Sequence, residues 1–148
     1  VTAIINFVDH KTKFTWIYFL KHKSDASNAF IHFRTLVENR FSKKIKIVQS
    51  DGGTEYKPLS DFFHQNGITH RMSCPYTPEQ NGSVERKHRH IVDSALSILA
   101  QSSVLKRYWD HAFSTAVYLL NRVPSKVLNF LSPFEALTGT KPDYKHTR

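Results

Sequence analysis

The chain has 148 residues, 40% apolar and 13% aromatic, with a formal net charge of +9 and an isoelectric point near 9.8. That length and apolar share exclude a disordered tail and suffice for one domain with a core. The basic balance points to nucleic acid or an anionic surface as partner.

Residues 3–8 (AIINFV) and 14–20 (FTWIYFL) are rich in β-branched and aromatic side chains, with the polar DHKTK between them. This pattern predicts a β-hairpin. The period then changes. Ala26, Phe30, Phe33 and Val37 recur at helical spacing, with Ser24 as candidate N-cap. KIKIVQSDGG reads as a buried strand that ends at Ser50-Asp51 and opens into two glycines. A short helix is expected over Leu59–Gln65, with Gly67 past its end, and a strand over Ile68–Met72.

Thr77, Pro78 and Gln80 form a capping-box pattern with proline at the first helical position. A long helix follows to about Ala100, with Val84, His88, Ile91, Ala95 and Leu99 as its buried stripe. Gly82 weakens its start by roughly 1 kcal/mol relative to alanine, which predicts a loop or frayed turn before Ser83. Another helix is expected over Lys106–Arg122, stopped by Pro124. Trp109, Tyr108 and Tyr118 read as core, because they recur with alanine and leucine at helical spacing. SPFEALTG, residues 132–139, is a last short helix between Ser132 and Gly139.

This order suits an α/β layer fold with a mixed sheet. No repeat, linker or low-complexity segment interrupts it, so residues 1–148 read as a single domain. Cys74 is the one thiol, which excludes an internal disulfide and favours a reducing compartment. No apolar run is long enough to span a bilayer, and VTAIINFV lacks the basic leader and cleavage site of a secretory signal. The chain opens on Val1 inside a strand-like stretch and stops at KHTR, so both ends read as cut from a longer protein.

Two carboxylates stand out. Asp51 falls at the carboxyl end of a strand, where α/β sheets place their functional crevice. Asp51-Gly52 is also an ordinary turn pair. Glu85 stands in TPEQNGSVERKHRH, residues 77–90, followed at once by Arg86, Lys87, His88, Arg89 and His90. At about 100° per helical residue it lies at the edge of the apolar stripe, one turn before Arg89. A Glu85–Arg89 ion pair would be worth only 0.2–0.5 kcal/mol or so. Taken together, the two acids could share divalent cations, with Arg and Lys side chains holding a phosphate backbone.

The same residues carry a family resemblance. FVDHKTKFTWIYFLKHKSDA, QSDGGTEY, NGITHRMSCPYTPEQNGSVERKHRHI, YWDHAFSTAVYLLNRVPSK and SPFEALTGTKPDY resemble the integrase catalytic core of copia-type retrotransposons, relatives of retroviral integrases. They cover nearly all of the chain. The resemblance implies an RNase H-like three-layer fold with a central mixed sheet and a D…D…E triad binding magnesium or manganese. The triad's second Asp falls on Asp51 and its Glu on Glu85, 34 positions on (from 51 to 85). This spacing is a step or two shorter than the family's, the shortfall lying between Tyr56 and Gly67. The first Asp belongs to a strand upstream of the hairpin, so this chain is expected to lack both and to be inactive alone. Asp9 matches the family's turn after the second strand and reads as turn chemistry.

Asn81 matches a loop position at which related integrases touch DNA, and also suits a turn before Gly82. Arg86, Lys87 and Arg89 are the expected DNA-positioning cations. His64, His70 and Cys74 lack compact ligand spacing, so no zinc is expected in this segment. The resemblance implies trimming of DNA 3′ ends and their joining to target DNA in the intact protein. It also implies homo-oligomers and a location in virus-like particles and the nucleus, with no membrane partner. A nuclease of the same fold, or a remnant that only binds DNA or self-associates, are the alternatives.

Overall fold

The computed structural model describes the backbone of residues 3–73 and 78–145, and their side chains apart from residues 55 and 78–81. The chain gathers into two compact units, Val1–Ile5 with Phe19–Glu85, and Asn6–Tyr18 with Arg86–Arg148. Strands β1 (Ala3–Val8) and β2 (Thr15–Leu20) form the predicted hairpin. Its turn is closed by Asp9 N–H donating to the Phe14 carbonyl at 2.9 Å. A link this short makes the pair antiparallel.

In the first unit, a 3-10 turn (Lys23–Asp25) leads into helix α1 (Ala26–Phe41). The expected cap at Ser24 is replaced by Asp25, whose Oδ2 accepts the His22 N–H at 3.0 Å. Ala26, Phe30, Phe33 and Val37 are buried, as the helical spacing predicts, and so is Ala29. Phe30 meets Phe63 of helix α2 (Leu59–Gln65) edge-on at 5.2 Å, and Leu59 is also buried. Aromatic pairs of this geometry add to the area they bury. Glu38 of α1 pairs with Arg34 at 3.2 Å and accepts the Ile45 N–H at 2.9 Å, tying down the approach to strand β3 (Ile47–Ser50).

β3 pairs in parallel with strand β4 (Thr69–Met72), Val48 standing opposite His70 and Ser50 opposite Met72. The described strands thus form two two-stranded sheets, where one mixed sheet was expected. Among the described residues no further strand bonds to β3 or β4. This also corrects the expectation of a buried strand before Asp51: only Ser50 of β3 is buried, and Ile47 is 49% exposed. Parallel strands are normally covered on both faces. Here His70 meets Phe63 at 4.9 Å on one face, while Ile47, Gln49, Thr69 and Arg71 on the other are exposed.

The second unit is built on helix α3 (Pro78–Ser102) from Arg86 onward, helix α4 (Trp109–Leu120) and helix α5 (Pro133–Thr138). The Thr77 cap lies outside the described residues. α3 runs unbroken through Gly82, against the expected loop, because propagation over 25 residues outweighs one glycine's cost of about 1 kcal/mol. Ile91 and Ala95 are fully buried, but Val84 is 40% exposed and His88 is exposed. The buried stripe therefore starts at Ile91. His88 Nδ1 faces Asn6 Nδ2 of β1 at 3.0 Å, which explains a polar residue at a predicted apolar position.

A 3-10 turn (Lys106–Tyr108) precedes α4, whose Ala112, Phe113, Ala116 and Val117 are buried. Tyr108 and Tyr118, expected in the core, are 40% and 41% exposed. Each instead carries an arginine over its ring, Arg107 at 4.8 Å and Arg122 at 3.5 Å. Asn121, past the end of α4, is 3% exposed. Its Oδ1 accepts the Thr15 N–H at 2.9 Å and its Nδ2 donates to the Thr15 carbonyl at 2.8 Å, as a neighbouring strand would. α5 has the predicted ends: Ser132 Oγ accepts the Glu135 N–H at 3.1 Å, and Gly139 turns with φ +72°.

Candidate active site

Asp51 follows β3 directly. Its Oδ1 accepts the Gly53 N–H at 3.1 Å, and Gly52 takes φ +77°, a conformation that favours glycine. The turn reading of Asp51-Gly52 is thus realised. It uses only one carboxylate oxygen: Oδ2 makes no hydrogen bond to a described residue, and the side chain is exposed.

The residue before it is held more tightly. Ser50 is 8% exposed and its carbonyl accepts the Ser73 N–H at 2.9 Å. Ser50 Oγ lies 2.8 Å from His70 Nε2 and accepts the Gly52 N–H at 3.3 Å. His70 was legible in the sequence only as a failed zinc ligand. Its place beside Ser50 depends on the β3–β4 register, which residue spacing does not reveal.

Glu85 belongs, like Asp51, to the first unit, and its side chain is exposed on α3. It makes no ion pair with Arg89, so the Glu85–Arg89 pair that the helical spacing allowed is not formed. Among the described residues, neither carboxylate has a partner beyond the Gly53 amide on Asp51 Oδ1. Asp9, in contrast, is occupied: Oδ2 accepts the Thr12 N–H at 2.8 Å and the Thr12 hydroxyl at 2.7 Å. Its carboxylate holds the hairpin turn. Among the described residues, no three His, Cys, Asp or Glu side chains group as a metal cluster.

The cations after Glu85 differ among themselves. Arg86 and Arg89 are exposed, while Lys87 is half-buried and burial pulls its ammonium below the usual lysine range. The Asn81 side chain lies outside the described residues. No helix among the described residues is long and apolar enough to cross a membrane.

The integrase core domain family matches residues 2–78. The Retrovirus-related Pol polyprotein from transposon RE1 of Arabidopsis thaliana is 50% identical over 142 residues, 96% of this chain and 10% of that polyprotein. The chain thus spans about a tenth of the length of such relatives. In structure it resembles a chain of the simian T-cell lymphotropic virus intasome in complex with PP2A regulatory subunit B56 gamma. The TM-score is 0.73 at 18% identity, covering 97% of this chain and 52% of that one. The HTLV-2 integrase catalytic core domain in complex with magnesium, in a trimeric form, gives 0.65 at 16% identity, covering 90% and 91%. These likenesses bear out the RNase H-like fold, although the described strands pair as two small sheets. The chain belongs to the integrase core domain family, with its sequence relatives among retrotransposon Pol polyproteins.

Proposed function

We propose that residues 1–148 form one catalytic core of a retrotransposon integrase, acting in magnesium- or manganese-dependent phosphoryl transfer on DNA. The observation that supports this reading is a pair of carboxylates in one compact unit that, among the described residues, have no partner beyond the Gly53 amide. Asp51 stands at a strand end with Oδ2 unengaged, and Glu85 stands on α3 without the ion pair that would occupy it. Magnesium takes hard oxygen ligands and is commonly held by one or two carboxylates with waters, so these donors fit it. Asp51 and Glu85 would hold the cation. When bound, it would stabilise charge at the attacking and leaving oxygens of an in-line displacement. Among the described residues no three His, Cys, Asp or Glu side chains group together, and Asp9 is committed to its turn.

Arg86, Lys87 and Arg89 follow Glu85 on α3 and would position the phosphate backbone, together with Asn81. In the intact protein the chemistry would be trimming of DNA 3′ ends and their joining to target DNA. Homo-oligomers, virus-like particles and the nucleus would be its setting. The test is to incubate the whole integrase containing this segment with labelled element-end duplexes and Mg²⁺. Joined product is expected. Cleavage without joining would favour a nuclease of this fold. DNA binding with neither product would favour a remnant without catalysis.

A further inference from the structure

We infer that His70 is a positioning residue for Asp51, acting through the Ser50 hydroxyl and the Gly52 amide. The inference rests on the reading of Asp51 as a metal ligand. The Asp51 side chain is exposed, so its direction is set by the backbone around it. Two of the bonds that fix this backbone converge on Ser50. Its carbonyl accepts the Ser73 N–H at 2.9 Å, and its Oγ accepts the Gly52 N–H at 3.3 Å.

A serine side chain can change its χ1 rotamer, so by itself it would not hold its oxygen on Gly52. His70 Nε2, 2.8 Å away, removes that freedom. Whether the hydroxyl donates to Nε2 or Nε2–H donates to Oγ, a lone pair is left for the Gly52 amide. The ring is itself fixed. Phe63 lies against it at 4.9 Å, and the register sets His70 opposite Val48, one diagonal step from Ser50. The chain of support runs from the α2 core through His70 and Ser50 to the Asp51 turn. Groups that orient a metal ligand in this way typically carry a tenfold to hundredfold share of metal affinity.

The test measures Mn²⁺ binding by electron paramagnetic resonance in the whole integrase, with thermal unfolding as a fold control. His70→Phe keeps the ring against Phe63 but removes both nitrogens. Ser50→Ala removes the hydroxyl and leaves His70 in place. Each is expected to weaken Mn²⁺ binding about tenfold to hundredfold, and the double variant no further than either single one. His70→Gln, whose amide can reach the position of Nε2, is expected to recover most of the affinity. In His70→Phe the Gly52 amide is expected to exchange faster with solvent. Three results would overturn the inference. One is wild-type Mn²⁺ binding in His70→Phe and Ser50→Ala while Asp51→Asn abolishes it. Another is a loss in His70→Phe that His70→Gln does not restore, which would make the role one of packing. The third is unchanged Mn²⁺ binding in Asp51→Asn, which overturns the metal-ligand reading itself and leaves His70 no ligand to position.

Discussion

The three cations after Glu85 occupy two environments, exposed for Arg86 and Arg89 and half-buried for Lys87, and each environment implies its own test. Arg89 is exposed and has no ion pair with Glu85, so Arg89→Ala should leave stability nearly unchanged. If it contacts phosphate, DNA affinity should fall and the slope of log affinity against log salt should drop by roughly one unit. Unchanged affinity and slope would remove it from the interface. Lys87 is half-buried with its pKa lowered by burial. Between that lowered value and the ordinary 10.5, the unfolded chain binds a proton the folded chain does not, so stability should rise with pH across that window. At neutral pH the partly desolvated charge is a cost. Lys87→Met should therefore raise the thermal midpoint while weakening DNA binding, and a lower midpoint would contradict the burial account. As candidates, Asp51 and Glu85 were legible from residue type and position. The freedom of their oxygens was not, because hydrogen-bond partners such as Gly53 depend on backbone geometry.

At the scale of elements, local signals located most boundaries. The spans of β1 and α2 and the Ser132–Gly139 frame of α5 were all legible, because turn and cap chemistry is written in adjacent residues. Long-range choices were not. The period of α3 placed His88 in the core, but a partner 82 positions away, Asn6, draws it to β1. Asn121 shows the same limit: nothing nearby marks it as the group that completes the start of β2. Both of its bonds serve buried backbone atoms of Thr15. Asn121→Ala should cost roughly 2–6 kcal/mol, since each of the two abandoned buried groups costs about 1–3 kcal/mol. Urea unfolding should show a lower midpoint with an unchanged slope. A loss under about 0.5 kcal/mol would mean water replaces the amide without penalty.

For the whole molecule, the net charge of +9 and the RNase H-like fold agree with an integrase core; the α/β class was legible from the order of the elements, and the RNase H-like fold from the family resemblance. The arrangement of strands as two small sheets was not, because pairing partners are not encoded in strand propensity. The central claim is that Asp51 and Glu85 act as one metal-holding unit, and substitution in the whole integrase tests it most directly. Glu85→Gln and Asp51→Asn keep side-chain size and remove a charge. Each should take DNA joining below detection with the fold intact, since losing metal stabilisation costs several kcal/mol. The double variant should be no worse than either single one. Binding of DNA without Mg²⁺ should be kept or slightly strengthened, because a charge repelling phosphate has gone. Asp9→Asn, confined to its turn with Thr12, should join DNA nearly as well as wild type. Full joining activity in Glu85→Gln together with an inactive Asp9→Asn would contradict the account.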